Sequence, residues 1–151
     1  MRVRPYRTVD NKIDGAVLVL VEIDVLKRVA ERLHMLSRVF QVASDPIMVQ
    51  DLGGKIVELN DAFASIYGWT RDELLGKPAT VLIPPDHRER AAALLEHCAK
   101  SEDVHEVESV RWTKARKRLR VLVSLSLITD EKGRPIAMAT LAKQQRAPDM
   151  A

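Results

Sequence analysis

The sequence predicts an α+β fold built on an antiparallel sheet. Three observations carry this expectation. Two short apolar runs flank the turn Asp51-Leu52-Gly53-Gly54, several short helical segments then lead to the breaker Pro84-Pro85, and three longer alternating segments occupy the region after residue 104. Strands and helices that come in separate runs argue for helices gathered on one side of an antiparallel sheet.

The chain has 151 residues, 46% hydrophobic and 30% charged, which suits one globular domain plus an appendage and excludes general disorder. A formal charge of +3 is too small to imply a nucleic-acid partner. That charge is unevenly spread, at +3 over residues 1–44, −7 over 45–109 and +7 over 110–151. Either electrostatic steering or pairing of the chain's own surfaces follows, and pairing is the simpler reading. The single cysteine, Cys98, excludes an internal disulfide or a zinc site with several thiolates, and it fits a reducing cytoplasm. Ala16–Val21 is the longest apolar run near the start and is too short to span a bilayer. With no charged-then-apolar leader, the expected location is cytoplasmic, with no membrane insertion by this chain.

Taken in order, Arg2–Thr8 and Ala16–Ile23 read as a β-hairpin around turn-forming Asp10, Asn11, Asp14 and Gly15. Asp24 reads as the N-cap of a helix reaching Ala43 or Ser44. Its apolar positions Leu26, Val29, Leu33, Leu36, Phe40 and Ala43 alternate spacings of 3 and 4, the seam of a coiled coil. A pairing helix and an amphipathic helix packed on its own domain both fit that pattern. Pro46 stops it, because proline disfavours helical geometry in the preceding residue. Ile47–Gln50 and Lys55–Leu59 form a second hairpin, with glycines where positive φ is needed.

Asn60-Asp61 caps a helix ended by Gly68, and Thr70 with Glu73 forms a capping box over Arg71–Leu75. Asp86 reads as the cap of a helix from His87 to Lys100 that places Ala91, Leu94, Leu95 and Cys98 on one face. Strands follow at Val104–Thr113, Leu119–Ile128 and Pro135–Ala142. In the middle one Leu119, Val121, Val123, Leu125 and Leu127 share a face. Residues 144–151 read as a frayed tail.

The run Asp45-Pro46-Ile47, Asp51 with Gly53-Gly54, Asn60-Asp61-Ala62-Phe63, Tyr67-Gly68-Trp69, Asp72-Glu73-Leu74-Leu75-Gly76-Lys77, Leu82-Ile83-Pro84 and Val123-Ser124-Leu125-Ser126 through Gly133 resembles a PAS domain. The resemblance spans Leu36 to Lys143. It implies a cup-shaped, five-stranded antiparallel sheet with short helices on one face. Arg4-Pro5-Tyr6-Arg7-Thr8 with Asp10-Asn11 and Ile13-Asp14-Gly15 resembles the last hairpin of a PAS-like region in chemotaxis methyltransferase/methylesterase fusion sensors. The resemblance implies that the chain is a fragment, or a truncated reading frame, of a longer signalling protein. It comprises a hairpin (1–23), a connecting helix (24–44), a PAS domain (45–143) and a disordered tail (144–151).

The resemblance implies a non-catalytic sensory and dimerisation module of a bacterial-type two-component or chemotaxis-related protein. Its expected partners are a second copy, paired through Leu26, Val29, Leu33, Leu36 and Phe40, and the signalling domains of a parent or partner protein. A ligand-free protein–protein interaction domain is the alternative. Apolar pattern and resemblance together nominate Ile56, Phe63, Ile66, Tyr67, Leu82, Leu95, Val123 and Met138 as pocket residues, each equally readable as plain core. The cofactor is left unassigned, and a non-covalent small molecule is compatible with the pattern. Heme is disfavoured because the position matching the family's ligand is Ala91, while His87 and His97 lie elsewhere on that helix. A cysteinyl-flavin is disfavoured because Lys77–Pro84 contains no cysteine. Trp69 and Trp112 read as packing residues or as stacking partners for a ligand.

No catalytic constellation stands out. Glu106 and Glu108 share a strand face without the marks of an acid/base pair. His34, His87, His97 and His105 lack metal-ligand spacing. The basic run Arg111, Lys114, Arg116, Lys117, Arg118 and Arg120 reads as a solvated hairpin in preference to a phosphate site. Arg116 stands where the family has a turn glycine, which predicts a longer or strained loop. Gln144-Gln145-Arg146 replaces the family's terminal Asp-Ile-Thr, which moves the expected signalling connection to the N-terminal helix.

Overall fold

A computed structural model describes residues 14–100 and 102–145. It divides into two compact units, one ending at Val39 and one beginning at Phe40. The described part of the first unit belongs to one helix, α1 (Asp14–Val42). The expected strand Arg2–Thr8 lies outside the described residues. Ala16–Ile23, expected as the second strand of that hairpin, is instead helical. Its apolar run Ala16–Val21 carries neither the helical nor the strand period, and no breaker separates it from the heptads that follow. Asp24 accordingly is no N-cap. It sits inside α1 and pairs with Arg28 one turn on at 2.9 Å.

The second unit is a five-stranded antiparallel sheet in the order β2-β1-β5-β4-β3, with β1 Ile47–Asp51, β2 Ile56–Leu59, β3 Val104–Trp112, β4 Arg118–Thr129 and β5 Pro135–Gln144. The β1–β2 turn works as its residues require. Asp51 takes the Lys55 amide on Oδ1 at 2.9 Å, and Gly54 adopts φ 87°, where a side chain is strained. Between β2 and β3 lie α2 (Asp61–Tyr67), α3 (Arg71–Leu74), single 3₁₀ turns at Ala79–Leu82 and Pro85–His87, and α4 (Arg88–Ala99). Gly68 closes α2 in the left-handed region, φ 76°, and its amide reaches the Ala64 carbonyl at 2.9 Å.

Asn60 fastens three elements. Its Oδ1 accepts from the Phe63 amide at 3.1 Å, capping α2, and from the Ile47 amide at 3.0 Å at the start of β1. Its Nδ2 donates to the Asp45 carbonyl at 2.9 Å, ahead of Pro46. The side chain is fully buried, so water competes little for these bonds, least of all for the one to Phe63.

The core lies between one face of the sheet and the helices. Leu119, Val121, Val123 and Leu125 are buried as the alternation of β4 predicts, joined by Met48, Ile56, Leu59, Met138 and Ala142 from the other strands. Phe63 and Tyr67 of α2 stack at 4.3 Å between ring centroids, and Ala91 and Cys98 of α4 are buried beneath its outer surface.

Three local expectations are corrected. Asp86 does not cap α4. Its carboxylate is held by Arg118 of β4 in a two-pronged pair at 3.0 and 2.9 Å, a partner 32 residues away. Gln144 and Gln145 are not tail: β5 runs to Gln144, and the Gln145 amide donates to the Arg120 carbonyl at 2.8 Å. Finally, β3 does not keep one alternation. Val104 pairs with Leu125 and Val107 with Val123, so three steps on β3 oppose two on β4. The bulge centres on Glu106, which has φ 47° and donates its amide to Ser124 Oγ at 3.1 Å. Beyond it Ser109 and Arg111 are the buried positions, while Glu106 and Glu108 are exposed on either side of the break.

Candidate functional site

The bulge decides which side chains of β3 face the helices, and so what lines the space between helices and sheet. A cavity of about 80 Å³ lies there, bounded by β1, β5, β4 and β3, by α2 and α4, and by the turn at Ala79–Leu82. Phe63 and Tyr67 contribute aromatic rings to it, and Leu82, Leu94, Leu95 and Leu125 contribute aliphatic surface. Of the nominated pocket residues, Phe63, Tyr67, Leu82 and Leu95 line this space. Ile56, Val123 and Met138 are buried core, and Ile66 packs against that core from outside the cavity.

The pattern-based reading missed the buried polar members of the lining, Gln50, Thr140 and Arg111. Each is over nine-tenths buried, at 6%, 4% and 8% exposure. Gln50 and Thr140 alternate correctly with Met48, Met138 and Ala142, so strict alternation would have turned them inward had polarity not counted against them. Arg111 could not be found that way, because its inward phase depends on the Glu106 bulge.

The Arg111 guanidinium is fixed from one end. Nη1 donates to Ser109 Oγ at 2.7 Å and to the Val110 carbonyl at 3.1 Å. Its Nε and Nη2 have no hydrogen-bond partner among the described residues. Burial pulls its pKa down from the ordinary arginine value, and Tyr67 opposes that pull. Tyr67 is locked as a neutral phenol: its hydroxyl donates to the Ala142 carbonyl at 3.1 Å, and burial pushes its ionisation far above the ordinary range.

The rest of the basic run disperses. Lys114 pairs with Glu73, Arg118 with Asp86, and Arg116 lies 4.6 Å over the Trp112 ring. Arg116 adopts φ 65°, the strained turn expected of a non-glycine there, and its amide donates to the Thr113 carbonyl at 2.9 Å. Trp69 packs on the core with Lys77 and Lys114 at 5.0 and 5.6 Å from its ring, and neither tryptophan lines the cavity.

Ala91, at the position matched to a heme ligand, lines the cavity with a methyl group. His97 instead meets Glu102 at 3.0 Å on the surface, and His87 lies beside Asp86. Cys98 is buried outside the cavity lining, and burial raises its thiol pKa. The space is well below the several hundred Å³ typical of pockets for drug-sized ligands. A flavin or heme ring system therefore does not fit these residues as they stand.

On α1, Leu26, Val29, Leu33 and Leu36 are 68%, 50%, 63% and 53% exposed, and Phe40 is half-buried. Among the described residues no helix is long and apolar enough to cross a membrane.

This strand order, with short helices set against one face, is the architecture of a PAS domain, and the PAS fold family model matches residues 34–142. The chain belongs to the PAS family, whose members are sensory or interaction modules and generally regulatory, non-catalytic domains. The PAS domain of an HTR-like protein from Haloarcula marismortui superposes with TM-score 0.69 at 21% identity, covering 81% of this chain and 98% of that one. The PAS domain of a protein from Colwellia psychrerythraea gives 0.70 at 18% identity, covering 75% and 96%. An RNA-binding light-oxygen-voltage receptor gives 0.68 at 20% identity, with 76% of this chain against 34% of that larger one. No curated protein matches by sequence.

Proposed function

We propose that the chain is a non-catalytic sensory module of a cytoplasmic, bacterial-type signalling protein, in which a small molecule held between helices and sheet biases a homodimer formed through α1. The cavity carries this reading. Its lining combines apolar rings and aliphatic side chains with three buried polar residues, one of them charged, and a space meant only to be core has no use for them. Family membership supplies the regulatory role. The exposed stripe Leu26, Val29, Leu33 and Leu36 supports pairing with a second copy, because an apolar seam at 3.5-residue spacing gains most from a like partner.

The reading is tested by hydrogen exchange on the full chain, dialysed and then incubated with a protein-free small-molecule extract of the host cell. Slowed exchange in β1, β5 and α2, the elements around the cavity, is the expected result. Identical exchange with and without extract would sink the sensory reading. The alternative, an interaction domain that takes no ligand, would then stand on the exposed α1 stripe alone.

A further inference from the structure

The charged member of the cavity lining sets the chemistry of what enters. We propose that Arg111 makes the cavity a site for one small organic carboxylate with a short apolar body. This deepens the sensory reading and rests on it.

The argument begins with charge. A guanidinium stays protonated in proteins, and an ion removed from water costs several kcal/mol unless it is paired. Arg111 is over nine-tenths buried, and its Nη1 bonds go to a hydroxyl and a carbonyl, both neutral. No carboxylate pairs with it among the described residues, whereas the exposed Arg71, Arg118 and Arg134 each have one. Tyr67 is no counter-ion, because its hydroxyl is committed as a donor to Ala142. Nε and Nη2, the edge of the fork without a protein partner, form the side on which a guanidinium grips a carboxylate through two parallel bonds.

The rest of the lining narrows the class. Among the described residues Arg111 is the only cation lining the cavity, which balances a monoanion and leaves a phosphate dianion short of charge. The volume of about 80 Å³ corresponds to a few water-sized spaces, room for a carboxylate head and a short tail. Phe63, Leu82, Leu95 and Leu125 offer that tail an apolar wall. The Gln50 and Thr140 side chains have no hydrogen-bond partner among the described residues, so they can take one polar substituent on the tail.

The test uses the full chain and defined probes. Thermal unfolding is followed with acetate, propionate, butyrate and valerate, and with their primary amides, at millimolar concentration and constant ionic strength. At a hundredfold excess over Kd, a bound carboxylate raises the folded-to-unfolded ratio about 100-fold. At least one acid should raise the Tm saturably while its amide leaves it unchanged, and Arg111→Gln should abolish the gain. Without ligand the glutamine variant should be no less stable than the parent, because it removes an unpaired buried charge. If that variant fails to fold, the acid–amide contrast on the unaltered chain decides alone. No stabilisation by any acid overturns the inference, as does an equal effect of acid and amide or a gain that survives in the glutamine variant. Slowed exchange with cell extract alongside any of these results would leave the sensory reading intact and reject only the carboxylate.

Discussion

Replacing Asn60 by alanine tests whether the side chain merely caps α2 or also fastens the start of the sheet. A lost N-cap alone costs about 1 kcal/mol. Here the substitution strips a partner from three backbone groups, the amides of Phe63 and Ile47 and the carbonyl of Asp45, around a side chain that is 1% exposed. At roughly 1 kcal/mol for each group left without a bond where water enters poorly, the loss comes to about 3 kcal/mol. Urea unfolding followed by the fluorescence of Trp69 and Trp112 reports this unit alone, since both residues belong to it. Asn60→Asp sharpens the test. A neutral carboxyl reproduces the amide's pattern, accepting at one oxygen and donating from the other to Asp45, whereas the ionised form sets charge against that carbonyl. The folded pKa of the new group is therefore raised, so its stability is present at low pH and lost as pH rises through that value. The defect relative to the parent at the same pH should be smaller at about pH 4 than at about pH 7. An alanine variant destabilised by only about 1 kcal/mol would refute the idea that Asn60 joins helix to sheet.

Four further outcomes follow from the same geometry. At position 116, where φ is 65°, glycine should exceed alanine in stability by about 1 kcal/mol in urea unfolding, since both lose the stacking on Trp112 and only alanine keeps the strain; equal stabilities would show that the turn relaxes. Glu58, Glu73, Asp86 and Asp130 are held below their ordinary pKa values, chiefly by hydrogen bonds from Arg71, Lys114, Arg118 and the Arg134 amide respectively. Their contribution is thus complete above the usual carboxylate range and lost as pH falls through the lowered values, so the urea midpoint should fall on acidification below about pH 4.5, and less so in Asp86→Asn. Cys98 should react with a thiol reagent only at the rate of opening, with fast modification in urea, and rapid labelling of the native protein would contradict its burial. Leu33→Asp should dissociate an α1-mediated dimer in sedimentation, and an unchanged profile would remove α1 from the interface.

The strands and short helices of the second unit were legible because strong punctuation bounds them: Pro46, Gly53-Gly54, Asn60, Gly68, Thr70 and Pro84-Pro85 each act within three or four residues. The features that escaped depend on distance or on phase. Asp86 looks like a cap until Arg118 is brought to it from 32 residues away. Ala16–Val21 is uniformly apolar, so its period says nothing, and the helix beyond it decides its conformation. In the cavity, the apolar pattern located Phe63, Tyr67, Leu82 and Leu95, but it treats polar residues as surface and so passed over Gln50, Thr140 and Arg111. Nothing local marks Glu106 as left-handed, and without that knowledge Arg111 belongs to a solvated basic hairpin.

The Glu106 bulge therefore acts as a one-residue phase setter for the chemistry of the interior. Regular pairing through that point, with no residue removed, would set Glu108 and Val110 opposite Val121 and Leu119, turning Ser109 and Arg111 out to solvent and inverting the sign of the buried charge without changing any side chain. For a scaffold of this kind, the gain or loss of a bulge in β3 sets which charge the strand turns toward the helices. Comparisons that align only residue identities would miss it.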